Sequence, residues 1–452
     1  MRKLLRCRRG SVAFATVVAL VPLIGAVALG AEAGSWYVTK QHAQNAADAA
    51  AYAGALRLAC SLDPSCVDAN SVDYRGKEFA ARNAFCNAGD ISYLGSKCAT
   101  SLPSGTSQTV QLALLTSWNG TPGNFVQATV SQQQQAQLAA VLGFSTVNIP
   151  ATAVASVIVP TILPCVLAES GAISFQDASV NINAPNCGLA SNGSPIGFNF
   201  KTGLNSPPVV GSMSTAGGCS GNASLCSSVS TYNPRVIDPF SALTSAIDNL
   251  TLTACKGSTL QPYATGLCAN DNTTLNSVTS LTVSGVYFFS GGLSLGGNGG
   301  LRTCTGSGDP DPLCAGKGIV TATIIVLPVS GNKTSLKMAG GSKFNITAPS
   351  TAPSASAIPS QLSSVANLLT SMALFDPEQS PQTTGTSTMA GSGVFYLPKA
   401  DPLNWQGSST GQVSTCTEVI AASITLAGTP NFNNQGCIDK IKLKSQIVQL
   451  VQ

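Results

Sequence analysis

"RRGSVAFATVVALVPLIGAVALGAEAGSWYVTK" covers Arg8–Lys40 and decides the architecture of everything that follows it. From Ser11 to Ala31 no residue carries a charge. About twenty apolar residues in a helix, rising ~1.5 Å each, match the ~30 Å hydrocarbon core of a bilayer. Residues 11–31 therefore read as a transmembrane helix. Pro22 lies mid-span, where membrane helices tolerate it. Arg2, Lys3, Arg6, Arg8 and Arg9 precede the run. Cationic flanks stay in the cytoplasm, so residues 1–10 form a cytoplasmic tip and the bulk of the chain lies across the membrane. Signal peptides have shorter apolar cores, of about 7–15 residues. Ala31-Glu32-Ala33 nonetheless matches a cleavage pattern, so the favoured reading is an anchor that stays, with cleavage as its alternative. Cys7 sits on the wrong side of the run for a lipoprotein cysteine.

The remaining composition suits an exported protein. Charged residues make up 9% of the 452 positions, against roughly 25% in ordinary soluble domains. Glycine (44) and proline (25) are plentiful, and aromatics are 6%. Such a chain solvates itself with hydroxyls and amides, as turn-rich β proteins do. The net charge of +4 is small, with five cations concentrated at the N-terminal tip. No basic footprint remains for nucleic acid. Fourteen of the 15 cysteines follow the apolar run. They fall as near neighbours: Cys60/Cys66, Cys86/Cys98, Cys165/Cys187, Cys219/Cys226, Cys255/Cys268, Cys304/Cys314 and Cys416/Cys437. Zinc sites call for C-x2-C pairs and histidines, and the single histidine is His42. Local disulfides in an oxidising compartment are expected, paired in sequence order.

After the span, "WYVTKQHAQNAADAAAYAGALRLA" is rich in alanine, the best helix former. Gln44 and Asp48 are four apart on one face. Residues 32–60 thus read as an Ala-rich helical stem continuing the span. Small side chains allow close packing, either on the chain's own domain or on a partner helix.

The basic residues, "RRGSVAF", the apolar run with its proline and "QNAADAAAYAGA" together resemble the N-terminal module of the TadE/TadG-like proteins of Flp (tight adherence) pilus systems. The resemblance covers residues 8–58. "FSTVNIPATAVASV" (144–157) resembles the β-strand pair that follows in the same proteins. The resemblance implies a membrane-anchored part in assembling or anchoring Flp pili, with other Tad/Flp assembly proteins as partners. Two departures bear on it. Prepilin-like members are cut after a glycine with a glutamate at the fifth residue beyond, but Ala15 holds that place after Gly10. Longer TadG-like members carry a D-x-S-x-S metal motif, whereas "DASVN" (177–181) has Asn181 in place of the second serine. No adhesion metal site of that kind is expected.

Residues 61–164 read as a small α/β region. "CVDANSVDYRGKEFAARNAFC" (66–86) suggests a helix, with Ala80 and Ala84 on one face and Phe79 and Phe85 as buried bulk. "NFVQATV" and "STVNIPATAVASVIV" alternate as strands, and "SQQQQAQLAAVLG" between them has helical character.

From residue 165 the texture changes. "AISFQDASVNINAPNC", "SLKMAGGSKFNITAPS" and "SITLAGTPNFNNQGC" repeat one pattern of short apolar alternation, small turn residues and further alternation. Ile173/Phe175 and Val180/Ile182 correspond to Leu336/Met338 and Phe344/Ile346, and to Ile424/Leu426 with Phe432. "SGVYFFSGGLSLGG" is a variant, its glycines read as corners. Short strands with glycine, asparagine and serine corners suit a β-solenoid. A right-handed parallel β-helix is the favoured fold for residues 165–452, with a β-sandwich of antiparallel strands as the alternative. Residues 349–364 and 376–393 read as low-complexity loops.

Little chemistry is legible. A Ser-His-Asp or Cys-His catalyst needs a histidine, and His42 lies in the stem among Gln and Lys. Beyond residue 160 the carboxylates are scattered, and the arginines are Arg235 and Arg302. "CTGSGDPDPLC" (304–314) sets Asp309 and Asp311 in a loop, where calcium would need more oxygens. No enzyme activity, catalytic residue, metal or cofactor is expected. The chain reads as mainly β behind an N-terminal transmembrane α-helix. Its function reads as pilus assembly in the bacterial inner membrane, through protein–protein contacts. A β-helix adhesin or glycan-binding module without a pilus role is the alternative. Aromatic rows on an exposed face would favour it, and Tyr287, Phe288 and Phe289 are the nearest approach to one.

Overall fold

The computed structural model describes residues 8–62, 68–90, 92–143, 145–159, 162–176, 180, 182–201, 204, 207–248, 250–256, 259–271, 273–328, 335–378, 382–383, 388–407, 416–429, 432–433, 437, 443 and 446–451. A long apolar helix leads into mostly β structure. The chain divides into two compact units. One runs up to Ile158 and takes in the residues from Val448 onward; the other is Val159–Ile447.

In the first unit, α1 is a single helix, Arg8–Ser61, with Pro22 inside it. Residues Val17, Leu23 and Val27 of its first half are exposed. Its second half presents alanine to a sheet: Ala43, Ala46, Ala47, Ala50, Ala51, Ala55 and Ala59 are fully buried. Three strands make most of that sheet: β1 (Ser107–Trp118), β2 (Thr121–Gln135) and β3 (Thr146–Ile158). Both of their ladders are antiparallel. Val110 of β1, Val126, Ala128 and Val130 of β2, and Ala151, Ala153, Ala155 and Val157 of β3 pack with the α1 alanines in one core. The strand Ile447–Leu450 adds to the free edge of β3.

Three sequence expectations for this region change. "SQQQQAQLAAVLG" is strand as far as Gln135, and only Ala139–Leu142 turns as a 3-10 helix. Cross-strand polar pairs hold it extended: Gln108 Nε2 donates to Gln132 Oε1 at 2.9 Å, and the Thr109 and Ser131 hydroxyls lie 2.7 Å apart. Residues 146–158 form one long strand rather than a pair. The helix expected at 66–86 is α2 (Val72–Arg82), capped by Ser71, whose side chain accepts from the Tyr74 N–H. It ends before Ala84, which is exposed in the left-handed region at φ 65°. Ala80 and Ala84 therefore do not share a face; Ala80 is buried with Ala81 and Phe85.

The second unit is built from parallel ladders. Eight strands lie side by side in the order Gly285–Phe289, Ala322–Val326, Met372–Phe375, Thr388–Leu397, Thr417–Ala421, Pro164–Ala168, Asn183–Ser191 and Val209–Thr215. Each neighbouring pair is parallel. A second parallel ladder joins Leu403–Gly407, Ile424–Gly428, Ile173–Phe175, Ile196–Phe200 and Gly218–Gly221. Two more parallel ladders carry Thr273–Leu275, Leu293–Leu295, Leu336–Met338 and Gln382–Thr383, and Val278–Leu281, Gly300–Thr303, Lys343–Thr347 and the start of Thr388–Leu397. Parallel pairing is not the antiparallel pattern of a sandwich.

The order of strands in space is not the order along the chain. The chain enters mid-ladder at Pro164–Ala168 and works outward to Val209–Thr215. It resumes at the opposite end and returns inward until Thr417–Ala421 pairs with the strand it began on, Val419 opposite Val166. Strand Thr388–Leu397 turns a corner on the way. Its first half pairs with Lys343–Thr347 and its second with Met372–Phe375. Gly391 and Gly393, at φ 128° and 139°, supply the bend.

Alternate residues of the eight-strand ladder enter two cores. Val166, Tyr287, Phe289, Ile324, Phe395 and Val419 face one, which also takes all the repeat positions named from sequence, from Ile173 and Phe175 to Phe432. Leu167, Phe288, Ile325, Tyr396 and Ile420 face the other. That second core is roofed by Phe240, by Leu243 and Ile247 of the helix Ser241–Ile247, and by Ile358, Leu362 and Leu369. A ladder buried on both faces explains runs such as "VYFF" and "TIIV". It also corrects the loop expected at 349–364. Ser360–Leu369 is a 3-10 helix whose apolar residues cover the sheet. Within 376–393, residues 388–393 belong to a strand, while 379–381 and 384–387 lie outside the described residues.

Six disulfides follow the sequence-order pairing: Cys86–Cys98, Cys165–Cys187, Cys219–Cys226, Cys255–Cys268, Cys304–Cys314 and Cys416–Cys437, with Cα separations of 4.8–6.2 Å. Cys60 is also disulfide-bonded. Its expected partner, Cys66, lies outside the described residues, as do Asp177–Ser179 and Asn181 of the "DASVN" stretch.

Candidate functional site

The site is the first unit, built on α1. Past the apolar half, polar side chains one or two turns apart tie the helix to β3 and to the β2–β3 turn. Glu32 accepts the N–H groups of Gln137, Leu138 and Ala139. Lys40 donates to the Pro150 carbonyl. Gln44 donates to the Thr152 carbonyl at 3.2 Å and to Asp48 Oδ1 at 2.8 Å. The Gln44/Asp48 pair legible in the sequence thus exists, and its face meets the sheet. Of the two partners weighed for the alanine face, the chain's own domain is the one present. His42 is exposed on the same helix.

On α2, Glu78 is 1% exposed and lies between two guanidinium groups. Arg75 Nη1 approaches it at 2.7 Å and Arg82 Nη2 at 2.6 Å. Arg75 also reaches Asp68 at 2.8 Å. That hydrogen bond, with the N–H of Asn70, pulls the Asp68 carboxyl down to about 2. Arg82 lies 4.5 Å over the Phe79 ring. Two guanidinium partners compensate the cost of burying this carboxylate.

Other carboxylates are hydrogen-bonded within the fold. In the loop closed by Cys304–Cys314, Asp309 accepts from the Asp311 and Thr305 N–H groups, the Thr305 hydroxyl and Arg302. Those bonds hold its carboxyl far below the usual range. Asp311 is likewise lowered, by the Ser280 hydroxyl and the Leu313 N–H. The Cys304 and Cys314 sulfurs lie near Asp309 but are bonded to each other, so they offer no thiolate.

A pair that sequence spacing could not show joins Glu169 to Asp238. Burial, and then the charge of Asp238, push the Glu169 carboxyl up to about 8. Asp238 is raised by burial, against hydrogen bonds from Tyr396 at 2.7 Å and from the Phe240 N–H at 2.7 Å. Asp376, fully buried, is pushed up to about 7 by desolvation and bonds the Ser335 hydroxyl at 2.8 Å. A cavity of about 500 Å³ is lined by Asp248, Glu378, Asp401, Lys399 and three prolines. Lys399 pairs with Asp248 at 3.1 Å, and Asp401 accepts from Ser423. Tyr287, Phe288 and Phe289 are interior, at most 1% exposed, and form no surface row.

The first unit defines a class: a protein in which one helix is both a candidate membrane span and the core helix of a small α/β domain. Residues 10–57 match the model of the family described as putative Flp pilus-assembly TadE/G-like. The match begins at the base of the span and ends within the alanine face of α1. No curated protein and no solved structure matches the chain.

Sequence reasoning reached the long apolar helix, the alanine face and the disulfides. Glu32 it read only within a cleavage pattern, Asp238 only as one of the scattered carboxylates beyond residue 160, and Glu78 not at all. A lone acid one residue past an uncharged run was the signal available for Glu32.

Proposed function

We propose that this chain is a membrane-anchored, non-catalytic component of Flp-type (Tad) pilus assembly or anchoring, and that it supports surface adherence through protein–protein contacts. The observation that carries the reading is that the family match coincides with the residues that make α1 both span and core. Residues 1–10 lie in the cytoplasm, residues 11–31 cross the inner membrane, and the bulk is periplasmic or at the cell surface. The cationic tip supports that orientation. Ala31-Glu32-Ala33 lies inside a continuous helix with Glu32 engaged, which supports an anchor that stays.

The Val159–Ile447 unit is a right-handed parallel β-helix in this reading, supported by its stacked parallel ladders and by the rarity of left-handed crossovers. It presents a disulfide-stapled surface to assembly partners. Non-catalytic character is supported by the carboxylates: Asp309 and Asp311 are saturated, and Glu169 and Asp238 are in direct contact. Glycoside-cleaving pairs stand about 5–9.5 Å apart to admit substrate or water.

Affinity purification of the full chain from crosslinked membranes of its source bacterium tests the partners. Recovery of other Tad/Flp assembly proteins, lost when a foreign span and helix replace residues 10–57, supports the reading; their absence counts against it. A second reading, a glycan-binding module, draws on the carboxylate- and lysine-lined cavity, whose groups complement sugar hydroxyls. It predicts glycan retention that Asp401→Ala abolishes.

A further inference from the structure

We infer that the turn joining β2 to β3, at residues 136–143, lies on the membrane surface and places Leu138 in the lipid headgroup–acyl boundary. The sheet is then held to the bilayer at two points, α1 and this turn. The inference rests on the reading that residues 11–31 span the membrane.

Glu32 is the first charged residue after the uncharged run. Its Oε1 accepts the Gln137 N–H at 2.6 Å, and its Oε2 accepts those of Leu138 and Ala139, both at 3.0 Å. The turn is thereby fixed at the level where the span ends. Lys40 and Gln44, two and three turns further along α1, bond Pro150 and Thr152 in the same ascending order. β3 therefore climbs away from the membrane beside α1, and the β2–β3 turn is the low point of both strands.

The chemistry of the turn fits that depth. Residues 136–145 carry no charge. Leu138 is 36% exposed, and Ala140 is exposed beside it. On α1, just above the span, Tyr37 and Val38 are also exposed, 66% and 52%. Aromatic and apolar groups favour this interfacial zone. Non-helical backbone near hydrocarbon needs its N–H groups satisfied without water, and Glu32 satisfies three of them. Continuity with the end of the span selects lipid as the occupant.

The test places a photocrosslinking benzoylphenylalanine at residue 138 of the full chain, reconstituted in phosphatidylethanolamine/phosphatidylglycerol vesicles. The same probe at Leu23 reports the span. At Thr121, at the opposite end of β2, it reports the far side of the sheet. Lipid adducts at 138 and 23 but not at 121 are expected. Glu32→Ala should reduce the adduct at 138 severalfold and leave that at 23 unchanged. An adduct at 23 with none at 138, or with protein rather than lipid at 138, overturns the inference while the anchor stands. No lipid adduct at 23 removes the anchor and the inference together.

Discussion

The backbone N–H of Val451 donates to the carbonyl of Val154 at 2.8 Å. The Val451 carbonyl accepts the indole N–H of Trp118 at 3.1 Å. The chain therefore leaves the first unit's sheet at the end of β3 and returns to the same sheet some three hundred residues later. The large β unit is an insertion between two strands of the small one. An edge that β3 would otherwise expose is covered by the chain's own return.

That return makes distant residues matter to the first unit. Val448 is 4% exposed in the core with the α1 alanines. Val448→Ala should cost roughly 2 kcal/mol through the cavity it leaves. Removing residues 447–452 should speed hydrogen exchange across residues 146–158, read by mass spectrometry. Unchanged exchange there would mean that the closing strand contributes nothing.

The alanine face has no room for a larger side chain. Ala50→Leu should lower stability by about 1–3 kcal/mol in urea unfolding, since overpacking forces neighbouring side chains and backbone to move. A face reserved for a partner helix would behave otherwise, with Ala50→Leu leaving the isolated protein as stable as before.

Glu169 and Asp376 bind protons more tightly folded than unfolded, with ordinary values of 4.5 and 3.8 raised to about 8 and about 7. Their contribution to stability is whole below about pH 4 and is lost as pH rises through those folded values. The β unit should therefore melt at lower temperature at pH 9 than at pH 6. The difference is about 1–3 kcal/mol, allowing for partial solvent screening. Glu169→Gln should flatten the profile at the alkaline end. A melting temperature that climbs between pH 6 and pH 9 would contradict this account of the buried carboxyls.

The loop 304–314 should behave as a staple. Calcium should leave the melting temperature unchanged, because the Asp309 and Asp311 oxygens already hold protein donors. Reduction of Cys304–Cys314, or Asp309→Ala, should open the loop to protease cleavage. A calcium-dependent rise in melting temperature would reveal a site these bonds conceal.

Much of the frame was legible because its causes are local. An uncharged run behind arginines, an alanine stripe and cysteines set close in sequence each state their own structure. The alternation at Ile173/Phe175, Leu336/Met338 and Ile424/Leu426 marked core positions correctly, because period-two burial needs only neighbouring residues. Long-range facts were hidden. Nothing near Thr417 announces that it closes against Pro164–Ala168, and nothing near Glu169 names Asp238. The glutamines at 132–135 read as helix formers until cross-strand partners held them extended. Ile358 and Leu362 looked like part of a serine- and proline-rich loop, because the sheet they roof is made elsewhere in the chain.

The central claim is a role in Flp-type pilus assembly, and surface filaments report on it most directly. The gene should be deleted in the source bacterium and the filaments counted by electron microscopy, with attachment scored alongside. The account predicts that filaments vanish or change in number, and that the intact gene restores them. Normal filaments in the deletion strain would contradict it; a fall in attachment alone would point instead to a β-helix adhesin.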